Sequence, residues 1–194
     1  PTSPVMRRTR LARSFARLIV LVGLSAPLAA YDAAASDSLT PDAFMSGLSR
    51  HKATLLFFFV DDCPVARRDV SVVNALRRSA RPDTLEIVGV QVESGRPAPA
   101  NLFDAGVRVV SDPEHALVAM VGARTTPEYF LFDEAGRLRY RGAIDDYALG
   151  LTRHRPKARR RYLADAVSAV LAGRPVVPVQ TPAPGCVIEP LRKR

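Results

Sequence analysis

Cysteine and histidine are scarce in this 194-residue chain: it has two cysteines, Cys63 and Cys186, and three scattered histidines, His51, His115 and His154. The histidines match neither a zinc-ligand spacing nor a triad pattern, so no metal site is expected. Glycine-rich phosphate loops are absent, and no cofactor is expected. No internal repeat or extended low-complexity tract appears. Long apolar runs are also lacking: the stretch from Leu18 to Ala30 is well short of the roughly 20 residues a bilayer-spanning helix needs.

That stretch follows the basic segment Arg7-Arg8-Thr9-Arg10-Leu11-Ala12-Arg13-Ser14-Phe15-Ala16-Arg17 and ends in small residues. A charged start, a short apolar centre and a small-residue end are the pattern of a secretory signal peptide. The expectation is a leader over residues 1–35 with Met6 as the start, a mature chain beginning between Tyr31 and Asp37, and export to a periplasmic or extracellular compartment. An uncleaved amphipathic anchor is the alternative. Cleavage after Ala30 removes five arginines and leaves 23 basic residues against 19 acidic. An excess of that size gives no argument for a nucleic-acid partner, and no transmembrane segment is expected after cleavage.

Downstream, elements alternate. Thr40-Pro41 caps and opens a short helix running to about Arg50. Ala53 to Val60 is continuously apolar and predicts a central strand, and Leu85 to Val92, rich in β-branched residues, predicts another. Between them Pro64 to about Ala80 reads as a helix, with Val65, Val72, Val73 and Leu76 facing inward and Arg67, Arg68, Arg77 and Arg78 outward. After a Gly/Pro-rich loop over 94–100, Val107 to Val110 predicts a short strand. Ser111-Asp112-Pro113-Glu114 is expected to cap a helix through Val121, and Gly122 to end it. Glu128–Phe132 and Leu138–Gly142 predict a hairpin around Asp133-Glu134-Ala135-Gly136. A last helix is expected from about Arg159 to Ala172. The fold class is α/β, a mixed central sheet flanked by helices, in one domain over 36–174 with a proline-rich tail over 175–194.

Cys63 ends the apolar run Leu55-Leu56-Phe57-Phe58-Phe59-Val60-Asp61-Asp62-Cys63-Pro64 and precedes a helix. At a helix start the sulfur is expected to be accessible and to face unpaired backbone N–H groups and the positive end of the macrodipole, which favour the thiolate. Arg67 and Arg68 add to that field, and Asp61 and Asp62 oppose it. An inert, buried thiol is the plainer alternative. Cys186 lies in a proline-rich tail that cannot be helical and can wrap over the domain. It is either a distant resolving thiol for Cys63, half of a permanent staple, or a link between chains. A staple closing a loop of about 120 residues would stabilise the fold by roughly 4–5 kcal/mol. The Arg153–Arg161 basic cluster and Asp145-Asp146 read as solvated surface.

Four short motifs in order carry a resemblance: Asp62-Cys63-Pro64-Val65, Thr126-Pro127-Glu128, Tyr140-Arg141-Gly142-Ala143-Ile144-Asp145-Asp146 and Gly185-Cys186-Val187-Ile188. Over roughly Leu39 to Ile188 the chain resembles the thioredoxin-like superfamily, and within it exported redoxin-type, AhpC/TSA-like proteins. The resemblance implies a thioredoxin-like fold and a cis Pro127 opposite the active cysteine. Cys63 and Cys186 would then be catalytic, Pro64, Thr126 and Pro127 would bind substrate, and the partners would be protein or small-molecule disulfides and thiols. Departures are informative. Ala66 stands where thioredoxins place the second cysteine of Cys-x-x-Cys, Arg67 where copper-delivering relatives place theirs, and Val60 where peroxiredoxins usually carry threonine. The leading expectation is a thiol–disulfide oxidoreductase. A peroxiredoxin-type peroxidase and a non-enzymatic binding module with a structural disulfide remain as alternatives.

Overall fold

The computed structural model describes residues 39–93 and 101–191. All of them belong to the second of the two units into which the chain divides, Ala34–Arg194. The expected leader lies outside the described residues, as do the loop over 94–100 and the last three positions. In chain order the elements are α1 (Pro41–Gly47), a 3-10 turn (Leu48–Arg50), β1 (Ala53–Phe59), α2 (Pro64–Ser79), β2 (Leu85–Gln91), β3 (Val107–Ser111), α3 (Ala116–Val121), β4 (Thr125–Thr126), β5 (Glu128–Asp133), β6 (Leu138–Gly142), α4 (Tyr162–Leu171) and β7 (Cys186–Val187).

Five strands form one sheet in the order β3-β2-β1-β5-β6. β1, β2 and β3 are parallel, β5 runs antiparallel to β1, and β6 returns antiparallel to β5. β1 is buried at every position, the environment that lets an unbroken apolar run sit mid-sheet. Successive side chains go to opposite faces. Leu55, Phe57 and Phe59 enter a layer with Val73 of α2 and Leu163 and Val167 of α4. Leu56 and Phe58 enter the other layer, with Phe44 of α1, Leu48, and Leu117 and Val118 of α3. The sheet is thus covered on both faces, and the parity of β1 decides which helix each of its side chains meets.

Local chemistry sets the ends. The Ala43 N–H donates to Thr40 Oγ1 at 3.2 Å and caps α1. Gly136, at φ +75°, makes the hairpin turn that Asp133 steadies by accepting from the Ala135 and Arg137 N–H groups.

Three expectations need correction. α3 starts at Ala116 rather than at the Asp112 capping segment, because Asp112 acts from outside the helix: its two carboxylate oxygens accept from Ala116 N–H at 2.8 Å and Val118 N–H at 2.9 Å. α4 starts at Tyr162 rather than near Arg159, since the Arg159 and Arg160 N–H groups are turned to Asp146 Oδ1. Arg77 is buried rather than outward-facing. Its guanidinium donates to the carbonyls of Leu85 at 2.7 Å and Ala80 at 2.9 Å, fastening the end of α2 to the start of β2.

Candidate functional site

The chain leaves β1, turns through Asp61 and Asp62 with the Cys63 N–H donating to the Val60 carbonyl, and enters α2 with Cys63 as its N-cap. Pro64 occupies the first helical position, where its missing N–H removes nothing the helix needs. No side chain caps this end, so the first-turn N–H groups face the Cys63 side of the molecule. The Thr126–Pro127 peptide bond is cis. The Cys63 thiol donates to the Thr126 carbonyl at 3.2 Å, so this bend is the immediate neighbour of the sulfur.

Cys186 reaches the same point from the far end of the chain. β7 pairs antiparallel with β4, with Cys186 opposite Thr126 and Val187 opposite Thr125. The Cys186 thiol lies 2.7 Å from Cys63 Sγ and donates to it, across 123 residues of sequence. Both cysteines are free thiols. Burial first, then the hydrogen bond to Cys63 and the nearby charges of Cys63 and Asp62, push the Cys186 thiol up to about 12. All five sequence-predicted residues, Cys63, Pro64, Thr126, Pro127 and Cys186, therefore meet at one end of α2.

The segment before and around β7 is a strap stitched to the sheet. The Arg141 N–H donates to the Val179 carbonyl and the Thr181 N–H to the Arg141 carbonyl. Thr181 Oγ1 accepts from the Ala143 N–H and lies 2.6 Å from the Tyr140 hydroxyl. Thr125 Oγ1 donates to the Ala183 carbonyl at 3.0 Å, and the Ile188 N–H to the Arg124 carbonyl at 3.0 Å. Two glycines permit the close approach: a Cβ on Gly142 would collide with Thr181, and one on Gly185 would collide with the Thr126 carbonyl oxygen. The expectation of an exposed Cys63 is overturned here, since the residue is 1% exposed. It packs within the core layer of Phe59, Val65 and Ala66, and the strap, which no local pattern around Cys63 reveals, lays Cys186 against it.

With this topology, the helix-start cysteine after β1 and the cis-proline bend facing it, the fold is decided. It is a thioredoxin-like fold. A solved structure of a hypothetical protein from Sinorhizobium meliloti 1021 is similar at 25% identity, with a TM-score of 0.62, over 74% of this chain and 82% of that one. An uncharacterized conserved protein from Geobacillus kaustophilus is similar at 22% identity and TM-score 0.66, over 77% of this chain and 82% of that one. A thioredoxin-like protein from Aeropyrum pernix aligns at 14% identity and TM-score 0.46, over 64% of this chain and 78% of that one. No protein-family model and no curated protein matches the sequence.

Within the thioredoxin-like core, two polar networks escaped the sequence reading. Glu128 accepts from Arg141 Nη2 at 2.6 Å and from the Arg124 N–H at 2.8 Å, joining the Thr-Pro-Glu motif to the Tyr-Arg-Gly motif. Asp69 accepts from the Tyr129 hydroxyl and from Arg68, each at 3.0 Å, and Arg68 also pairs with Asp145 at 2.7 Å. Burial pushes the Asp69 carboxyl up to about 6 against the pull of Arg68. Asp145 is accordingly a buried partner of Arg68, not the solvated turn residue expected, whereas Arg153, Arg159, Arg160 and Arg161 are exposed as expected. Among the described residues, Asp61, Asp62 and Glu93 bring carboxylate oxygens within 4.8 Å of one another, and hard oxygen ligands of this kind suit Mg²⁺ or Ca²⁺. No described helix is long and apolar enough to cross a membrane.

Proposed function

We propose that this chain is an exported thiol–disulfide oxidoreductase of the redoxin kind, with Cys63 as nucleophile and Cys186 as resolving thiol. The observation that carries the reading is the 2.7 Å approach of two sulfurs that are 123 residues apart in sequence, at the amino end of a helix. The basic segment followed by Leu18–Ala30 supports export. The working unit is residues 36–174, with 175–194 as the strap.

In the proposed cycle the Cys63 thiolate attacks one sulfur of a substrate disulfide and expels the first substrate thiolate, which takes a proton from solvent. Cys186 loses its proton to solvent and attacks Cys63 Sγ in the mixed disulfide, forming the Cys63–Cys186 bond and releasing the second substrate thiolate. The substrate leaves reduced by two electrons and the protein is oxidised by two. Thr126 and Pro127, beside the sulfur, offer the backbone edge for an extended segment once β7 has left β4, and Pro64 holds the helix start in place.

The expected results are these. Cys63→Ser abolishes disulfide exchange, and Cys186→Ser halts the cycle at a mixed disulfide on Cys63 that mass spectrometry detects. Failure of native Cys63 to react with any disulfide or alkylating reagent would sink the reading. The 1% exposure of Cys63 favours a second reading, a structural bond. That reading requires a Cys63–Cys186 disulfide that resists dithiol reductants until the protein unfolds.

A further inference from the structure

The two sulfurs do not face solvent equally. A groove of about 380 Å³ beside the strap is lined by Val60, Asp62, Thr126, Cys186, Val187 and Ile188, among other described residues, and Cys63 is not part of its wall. That space far exceeds the ~10–15 Å³ a single water needs on the same measure and admits a small molecule. Among the described residues, the backbone edge an extended polypeptide would use is closed. The β4 edge, on which an extended chain would pair, is occupied by β7 in register, and Gly185 lies against the Thr126 carbonyl with no room for a side chain.

Resting on the oxidoreductase reading above, we propose that the electron donor for the closed, oxidised protein is a small-molecule thiol that enters this groove and attacks Cys186. Polypeptide disulfides, by contrast, are met by Cys63 only when β7 has left β4. The donor thiolate bonds to Cys186 Sγ, breaks the Cys63–Cys186 bond and releases Cys63 as the thiolate. A second donor thiolate then attacks the donor sulfur of that mixed disulfide, expels the Cys186 thiolate, which takes a proton from solvent, and leaves as the symmetrical donor disulfide. Two donor thiols are oxidised for each protein disulfide reduced.

Three features favour this direction of attack. Cys186 lines the groove and Cys63 does not. Cys63 is 1% exposed. The alternative first step would expel Cys186, whose thiol is pushed up by burial, and a leaving sulfur departs more slowly as its thiol becomes less acidic. Once the bond is cut the strap is held by hydrogen bonds and apolar packing alone, as in the reduced form described here, and it can leave Cys63 without breaking a covalent bond. One device then serves both half-reactions.

The test uses the full chain oxidised to the Cys63–Cys186 form. It is reduced in parallel by free cysteine and by a reduced Cys-x-x-Cys protein at equal thiolate concentration, and quenched in acid for mass spectrometry. Expected are a cysteine adduct on Cys186 rather than Cys63, and a rate for free cysteine at least about tenfold above that for the protein donor. Gly185→Ala, which forces the strap away from Thr126, should raise the protein-donor rate about tenfold while the free-cysteine rate changes little. Should that variant fail to fold, Thr181→Ala loosens the same strap from Tyr140 and Ala143 and carries the same expectation. An adduct on Cys63, or equal rates for the two donors in the unmodified chain, overturns the proposal while leaving the oxidoreductase reading intact. If no Cys63–Cys186 bond forms, or none yields to any thiol in the native state, the oxidoreductase reading fails first.

Discussion

Asp69 is a carboxyl group placed where water is absent, under Tyr129 and beside Arg68. Desolvation raises its pKa from 3.8 to about 6, despite the opposing effect of Arg68. The folded form therefore holds this proton more tightly than the unfolded one. The resulting stabilisation is complete below about pH 4 and is lost as pH rises through about 6. Unfolding by urea across pH 4 to 8 should show stability falling over that window, by at most about 3 kcal/mol from this group. Asp69→Asn, which keeps an acceptor for the Tyr129 hydroxyl, should flatten the decline; an unchanged slope would remove Asp69 as its source.

Phe57 shows how tightly the same layer is filled. Its ring stacks on Tyr129 with centroids 5.5 Å apart and meets Phe59 and Phe103. Directly across from it in the parallel pair stands Gly89, where a Cβ would strike the Phe57 ring. Gly89→Ala should cost about 1–3 kcal/mol by overpacking and Phe57→Ala about 3–5 kcal/mol by cavity formation, both read from denaturant midpoints. A neutral Gly89→Ala would mean the ring has room to move aside.

At the scale of elements, the strap is a segment with almost no regular structure that is held by pairs of backbone and hydroxyl hydrogen bonds. Thr181 is its chief fastener, touching Tyr140, Ala143 and Arg141. Thr181→Ala should lower stability by about 1–3 kcal/mol through lost and unsatisfied hydrogen bonds. Limited proteolysis should then cut within residues 175–185 well before the sheet. Unchanged resistance would show that β7 alone anchors the segment.

The elements that sequence reading recovered are those whose signal is local: the apolar run of β1, the inward stripe of α2, the Gly136 turn, the glycine that ends α3. What it missed depends on partners far away in the chain. The pull of Asp146 on Arg159 and Arg160, the reach of Arg77 to Leu85, and the Glu128–Arg141 pair have no neighbouring pattern that announces them. The site was legible as a set of residues, because its motifs occur in order. Its closure was not, because Cys186 is brought onto Cys63 by a strap whose hydrogen bonds run to β4 and β6. The two small-residue positions in those motifs, Gly142 and Gly185, were the available signal, since each marks a place where another backbone passes too close for a side chain.

For the molecule as a whole, the two cysteines bracket nearly the entire sheet. A bond between them closes a loop of 123 residues, which in the chain-entropy treatment stabilises the folded state by roughly 4–5 kcal/mol. Oxidised and reduced protein should differ by about that amount in urea unfolding, with the oxidised form the more stable. Equal midpoints would show that the pair is not bonded in the oxidised preparation or that the bond is strained.

The same spacing has a consequence in time. Cys63 is polymerised 123 residues before Cys186, an interval of roughly 6–25 s at 5–20 residues per second. Through that interval every strand from β2 to β6 is made, while the thiol still lacks the strap that carries Cys186 to it. Nascent chains should accordingly be captured at Cys63 by a membrane-permeant alkylating reagent faster than completed ones. The growing polypeptide thus passes through a stage of chemical vulnerability that ends only when its final stretch is laid down.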